Sequence, residues 1–178
     1  VAQAFLSGLA RRPGLKSGNA ATKPATATTP RGGFALALAG SLSPVTRAQV
    51  EAATGYVKIV IDPARLLWDA GFRDELCENV VARLAREDVM LITDQPRGLP
   101  ENAGRVAEAT AELLRSVVER SSLSRLIVAG GDTSSRAIKA LDVWGISYQS
   151  ACVPGAALCR AHSAIPDLDG LEIILKGG

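Results

Sequence analysis

From Gly33 onward, short and largely apolar runs alternate with segments of helical length, and this alternation restricts the folds that the chain can adopt. The first four runs begin at Phe34, Val57, Val89 and Arg125. Such runs are typical of strands covered on both faces, and strand–helix–strand alternation implies right-handed crossovers between parallel strands. The sequence therefore predicts an α/β fold: a layered, mostly parallel sheet with helices on both faces, Rossmann-like in character.

The same patterns set the expected boundaries of each element. Strands are predicted at 34–39, 57–62, 89–93, 125–129, 145–151 and 170–175. Helices are predicted at 44–54, 64–68, 72–86 and 101–120, then from the residues after the Gly130–Gly131 turn to about Leu141, with a further short helix at 156–162. We expect the second and third helices to be separated by a break near Gly71.

A change of composition divides the chain near Gly33. Residues 1–15 carry apolar side chains near helical spacing, whereas residues 16–33 are rich in small and polar types that offer no face to pack. We interpret 1–33 as an N-terminal segment and linker, and 34–178 as one domain. Because the first residue is Val1 and a linker stands near the start, we expect a longer protein with a further domain upstream.

Charge and cysteine content limit the classes of partner and compartment. The chain has 20 basic and 18 acidic side chains, for a net charge of +2, which argues against nucleic acid or an anionic membrane as a partner. No apolar run approaches the roughly 18 residues of a membrane helix. The three cysteines have no framework spacing and indicate reduced thiols in a cytoplasmic protein.

The most informative turn lies in the stretch Leu126–Ser135, where a strand, two glycines and a helix follow one another. Gly130 and Gly131 allow a sharp turn and a close backbone approach to a ligand, because neither has a Cβ. The following helix would be capped by a side chain of one of the next three residues, Asp132, Thr133 or Ser134. Free N–H groups at a positive helix end suit a phosphate, although such turns also occur without a ligand.

Two further turns have glycine at the end of a strand. In the first, Pro44 suits the first helical position and makes Ser43 the N-cap, which leaves the hydroxyl and N–H of Ser41 facing the groove above the sheet. A plain capped helix is the alternative interpretation. In the last, Lys176 is followed by Gly177 and Gly178. We expect the turns at Gly40, Gly130 and Gly177 to converge on one groove at the carboxyl ends of the strands.

Other polar residues are weaker candidates. Asp62 ends the predicted second strand, where a dinucleotide fold would bind a ribose, but Gly40 lacks the G-x-G-x-x-G spacing, which disfavours a hydride-transfer enzyme. Thr93 and Asp94 end the third strand and either reach the groove or close a turn. Cys159 and His162 have no second pair at metal-binding spacing, so we assign no metal site.

Four motifs follow one another along the chain: Ala39–Thr46, Val128–Ser134, Val153–Gly155 and Leu175–Gly178. They occur in the order and spacing found in the four-carbon acid sugar kinase family, and from about Phe34 to its end the chain resembles that family's C-terminal, nucleotide-binding domain. The order of all four is more specific than any one of them alone.

The resemblance implies an activity and a set of binding residues. Members of that family phosphorylate a tetronate or 3-oxo-tetronate, with ATP and Mg²⁺ bound to the C-terminal domain and the sugar acid bound to an N-terminal domain. Position by position, it implies ATP contacts from Ser41, Ser43, Gly130, Gly131, Asp132, Thr133 and Gly178. It implies no catalytic residue within this chain, because the substrate domain would supply the sugar site.

The chain departs from the family pattern at Leu42, where a small residue or cysteine is usual, and at Gly177, where serine is commoner. These departures leave the substrate subgroup open. Two other functions remain as alternatives: a non-catalytic α/β module that binds an anionic metabolite, and a Rossmann-type oxidoreductase. A homo-oligomer is among the assemblies that the sequence leaves open.

Overall fold

A computed structural model of the protein describes residues 32–40, 43–93 and 102–177. These ranges form the following elements: β1 (Phe34–Ala39), α1 (Pro44–Ala52), β2 (Val57–Ile61), α2 (Pro63–Trp68), α3 (Ala70–Leu84), β3 (Val89–Thr93), α4 (Ala103–Glu119), β4 (Leu123–Ala129), α5 (Gly131–Ala140), β5 (Gly145–Val153), β6 (Ala156–His162) and β7 (Glu172–Lys176). Most of the predicted N-terminal segment and linker, 1–33, lies outside the described residues, as do Ser41, Asp94 and Gly178.

The seven strands form one sheet in the order β2-β3-β1-β4-β7-β6-β5. The first five in that order pair in parallel, whereas β6 pairs antiparallel with both β7 and β5. The predicted α/β class and the mostly parallel sheet are therefore confirmed. The order matches neither of the two common doubly wound orders, 3-2-1-4-5-6 and 2-1-3-4-5. The narrower predictions, a Rossmann-like sheet with helices on both faces, stay predictions.

Side chains of β1 alternate between two clusters of buried residues, as the two-residue period of a strand requires. Leu36 and Leu38 belong to a large cluster that also contains residues of α3, α4 and α5. The alanines of β1, at positions 35, 37 and 39, belong to a smaller cluster with Val50 of α1. The side chains packed on one side of β1 are therefore leucines, and those on the other side are alanines. Neighbouring elements can approach the strand more closely on the alanine side.

The predicted helix at 156–162 is wrong, because this segment is strand β6. Gly155, with φ of 81°, closes a tight turn after Pro154, and the chain then pairs with β5. On its other edge β6 pairs with β7 from Ala156 to Arg160. Pairing on both edges, with β5 across the tight turn and with β7 on the other side, overrides the helical preference of its alanines and leucine.

The break between the second and third helices lies at Asp69 rather than at Gly71. The backbone of Asp69 is extended, with φ of −117° and ψ of 98°, and its carboxylate accepts a hydrogen bond from the N–H of Phe72 at 2.9 Å. A side-chain cap thus starts α3 two residues earlier than the glycine suggested. Within the described residues, no helix has both the length and the apolar character needed to cross a membrane.

Candidate functional site

Four backbone turns lie side by side at the carboxyl ends of the parallel strands, and hydrogen bonds connect each to the next. The N–H of Gly40 donates to the carbonyl of Ala129 at 3.0 Å, and the N–H of Gly130 donates to the carbonyl of Lys176, also at 3.0 Å. The N–H of Gly177 donates to the carbonyl of Gly155 at 3.3 Å. We call the turns at Gly40, Gly130, Gly177 and Gly155 the turn row. Gly40, Gly130 and Gly177 therefore lie at neighbouring strand ends, and their predicted convergence on one groove stays a prediction.

The turn row contains a point where the topology of the sheet reverses. β1 and β4 are neighbours, but from β1 the chain passes to β2 on one side, and from β4 it continues to the strands on the other side. In open α/β sheets, ligands bind in the crevice that such a reversal leaves outside the carboxyl ends of the strands. Gly40 and Gly130 end the two strands at this point.

The turn between β4 and α5 is a glycine-capped helix start. Gly130 is the N-cap and has φ of 118° and ψ of 127°, a backbone conformation that is essentially restricted to glycine. The prediction that Asp132, Thr133 or Ser134 caps the helix is wrong, because α5 begins at Gly131 and these residues already lie in its first turn. The cap residue has no side chain, so it offers no side-chain oxygen to the first N–H groups of α5.

Three residues of the first turn of α5 have different surroundings. Thr133 is buried against Gly40, such that a Cβ built on Gly40 would lie 2.0 Å from Thr133 Oγ1. Asp132 and Gly131 are exposed, and apart from the chain neighbours of Gly131 and the backbone of α5 no described residue places an atom within 4 Å of a Cβ built on Gly131. No described side chain therefore fills the space beside Gly131.

Ser43 caps α1 as predicted. Its Oγ accepts from the N–H of Thr46 at 3.2 Å and lies 3.0 Å from Thr46 Oγ1, with Pro44 in the first turn. The hydroxyl of Ser43 is thus engaged with its own helix. Its predicted contact with ATP, like that of Ser41, stays a prediction.

The weaker candidates have structural partners. Asp62 caps α2 by accepting from the N–H groups of Ala64 and Arg65 at 2.8 and 3.2 Å. Thr93 is buried, and its hydroxyl donates to the carbonyl of Ala39 at 3.2 Å, which connects β3 to β1. His162 Nε2 lies 2.8 Å from Ser147 Oγ.

The thiols and histidine do not form a metal site in the described ranges. Cys77, Cys152 and Cys159 are all free thiols. Burial raises the pKa of both Cys152 and Cys159, so these two thiols are poor nucleophiles near neutral pH. Among residues 32–40, 43–93 and 102–177, no three His, Cys, Asp or Glu side chains are grouped so as to bind a metal ion.

No site residue was predicted in the β5–β6 turn, although Gly155 is part of the turn row. A cavity of about 670 Å³ opens beside this turn, and we call it the hairpin cavity. The residues that line it include Tyr148, Ala151, Cys152, Gly155, Ala157 and Leu175. The motif Val153–Gly155 was the available signal, but the rule that ligands sit at strand-to-helix turns does not apply to a hairpin.

A family model described as the nucleotide-binding C-terminal domain matches residues 36–178. A 3-oxo-isoapionate kinase of Paraburkholderia graminis is 46% identical over 76 residues, which cover 43% of this chain and 16% of the relative. A 3-oxo-tetronate kinase of Methylobacterium radiotolerans is 34% identical over 122 residues, covering 63% of this chain and 29% of the relative. The chain thus spans less than a third of the length of either kinase.

Two solved structures share the fold. A domain of unknown function from Bordetella bronchiseptica, described as a domain-swapped dimer with bound citrate, gives a TM-score of 0.65 at 22% identity, over 83% of this chain and 36% of that one. A protein of Haemophilus influenzae gives a TM-score of 0.67 at 21% identity, over 88% of this chain and 40% of that one. At these identities the structures support the fold alone.

Proposed function

This chain belongs to the nucleotide-binding C-terminal domain family, within the four-carbon acid sugar kinases, and from that premise we propose that it binds ATP and Mg²⁺ for the phosphorylation of a four-carbon sugar acid. Tetronate or 3-oxo-tetronate is the proposed substrate class. The observation that carries the proposal is the turn row, in which hydrogen bonds join glycine turns of three neighbouring parallel strands at a topological reversal.

The start of α5 is the proposed position of the ATP phosphates. The N–H groups of Gly131, Asp132 and Thr133 lie in the first turn of a helix, where the helix itself supplies no acceptor and the helix dipole is positive. Because Thr133 is buried, we assign its contribution to its backbone N–H rather than to its hydroxyl. Phosphate binding at such a turn uses backbone groups and therefore needs little side-chain charge.

The remaining proposed contacts flank this turn. Gly130 shapes it, Ser43 caps the helix that follows β1, and in sequence Ser41 follows Gly40 and Gly178 follows Gly177. We propose that all four contribute to the phosphate site. This arrangement supports nucleotide positioning, which is the main part of phosphoryl-transfer catalysis.

Mg²⁺ fits this arrangement through one carboxylate. In phosphoryl-transfer sites Mg²⁺ is typically bound by one or two protein carboxylates together with substrate phosphates and waters. Asp132 is an exposed carboxylate in the first turn of α5, and we propose that it binds the ion beside the phosphates. Mg²⁺ would neutralise the charge of the phosphate oxygens.

The sugar-acid site and the general base are proposed to lie outside this chain, on the part of the protein that the longer kinases contain. This chain would then bind the nucleotide, and the other domain would bind the sugar acid that carries the acceptor hydroxyl. A homo-oligomer stays a prediction of the sequence.

Calorimetric titration of the chain with Mg–ATP tests the proposal. Gly131→Ala places a methyl group in the open space beside the first turn of α5, where no described residue is within 4 Å. We expect it to weaken ATP binding by about tenfold or more, because the methyl group would occupy space needed by the phosphates. The matched control is Gly145→Ala, since a Cβ there also meets no described residue within 4 Å.

Two outcomes would contradict the proposal. One is the absence of ATP binding by the unmodified chain. The other is equal binding of ATP by the unmodified chain and the Gly131→Ala variant. That result would mean that the turn between β4 and α5 is not part of the nucleotide site.

A further inference from the structure

The hairpin cavity lies at the β5 end of the turn row. Its lining includes Gly155, whose carbonyl accepts from the N–H of Gly177 at 3.3 Å, so the cavity and the last turn of the row share a wall. A ligand whose phosphates lie at the start of α5 therefore has this cavity beside it. β4 and β5 are separated by β7 and β6, and three strand spacings amount to about 14 Å.

Small side chains form the bottom of the cavity. Leu175 pairs with Ala157, and Ala157 pairs with Ala151, so these three residues occupy one face of three neighbouring strands. Two of the three are alanines, which leaves a shallow, even surface. Such a surface suits a flat ligand.

Tyr148 stands on β5 at the edge of this surface. It lines the cavity, and 67% of the residue is exposed, so its ring is accessible for contact with a ligand. Aromatic side chains that stay exposed beside an apolar pocket are common sites of base stacking, because every nucleobase has a flat π-face.

The described lining of the cavity has few polar side chains that could distinguish one base from another. Apart from the Tyr148 hydroxyl and the Cys152 thiol, the side chains of its described lining are those of alanine, valine, proline and leucine. None of these described lining residues is charged or carries a side-chain amide. Strong discrimination between ligands of similar shape depends on buried polar groups that are left unpaired by the wrong ligand.

We propose that the hairpin cavity binds the base of the nucleotide by apolar contact and by stacking on Tyr148, without selecting adenine over guanine. This inference rests on the proposed nucleotide function and adds a consequence to it, namely that GTP binds nearly as well as ATP. The turn row determines affinity for the phosphates, and the hairpin cavity determines affinity for a purine ring of either kind.

The test compares three ligands, each with Mg²⁺, by calorimetry: ATP, GTP and inorganic tripolyphosphate. We expect the dissociation constants of ATP and GTP to agree within about threefold. Tyr148→Ala is expected to weaken both nucleotides by about tenfold and to leave tripolyphosphate unchanged, because only the nucleotides have a base to stack. Tyr148→Phe retains the ring and is expected to bind all three as the unmodified chain does.

Trp144→Ala is the matched control, because Trp144 is also exposed, at 76%, and directly precedes the same strand, but does not line the cavity. It is expected to change none of the three affinities. Circular dichroism of each variant reports that the fold is retained.

The outcomes separate this inference from the proposed function. Binding of tripolyphosphate and ATP with no effect of Tyr148→Ala would overturn the base site and leave the phosphate site standing. A preference for ATP over GTP of tenfold or more would overturn the lack of selectivity. If neither tripolyphosphate nor a nucleotide binds to the unmodified chain, both the inference and the proposed function fail.

Discussion

Gly40 and Gly130 both end a strand, yet the structure requires glycine at the two positions for different reasons. Gly130 has a positive φ of 118°, which other residues rarely adopt. Gly40 lies against Thr133, and a Cβ there would be 2.0 Å from Oγ1 and 2.5 Å from Cγ2 of that side chain. Glycine is required at position 40 because this residue packs against Thr133 in the first turn of α5. This is a tertiary contact, and a local sequence pattern does not show it.

Gly40→Ala should therefore destabilise the fold. Overpacking at this contact is expected to lower the free energy of unfolding by about 1–3 kcal/mol, because Thr133 is buried and the added Cβ would lie 2.6 Å even from its Cβ. Urea denaturation measures the change. Gly55→Ala serves as the control, since a Cβ at Gly55 meets no described residue within 4 Å. Equal stability of the two variants would contradict the close packing of the two turns.

At the scale of whole elements, the sequence predicted the buried parallel strands well and the hairpin poorly. Strands β1, β3 and β4 are buried along most of their length. Their apolar runs predict a buried strand without any knowledge of the neighbouring strands. Strand β6 contains alanine, leucine and arginine, which also suit a helix. Its conformation is determined by pairing with β5 and β7, and the sequence of β6 alone does not contain that information.

The start of α3 shows how one side chain defines an element. The pKa of Asp69 is held below its usual value, chiefly because the N–H of Phe72 donates to the carboxylate, with a further contribution from Arg65 at 3.4 Å. A group whose pKa is lowered by folding stabilises the fold above its ordinary pKa, and this contribution is lost as the pH falls through the lowered value.

Asp69→Asn tests this account. The substitution removes the charge and keeps an oxygen that can cap the helix, so the variant is expected to unfold at lower urea than the unmodified chain near neutral pH. As the pH falls through the lowered pKa of Asp69 the carboxylate becomes protonated, and the two midpoints should converge. Asp74→Asn, an exposed position on the same helix, is the control for charge removal. A difference between the urea midpoints of Asp69→Asn and the unmodified chain that stays constant with pH would contradict a role for the ionised cap.

At the scale of the whole molecule, the site depends on strand order. Local glycine signals located the turns, because each follows an apolar strand, but they do not reveal that β1, β4 and β7 are neighbours. The hydrogen bonds that connect Gly40, Gly130 and Gly177 to the adjacent turns follow from that order. The position of Gly155 follows from the antiparallel hairpin, and its part in the turn row was missed for that reason.

The central claim is that the turn row binds the phosphates of a nucleotide, and its most direct test is an amide chemical-shift titration of the ¹⁵N-labelled chain with Mg–ATP. We predict that the largest changes occur at Gly40, at residues 130–133 and at Gly177, since their backbone N–H groups lie in the turns concerned. Largest changes at the opposite ends of the strands, near Asp88 and Gly145, with these turns unaffected, would contradict the claim.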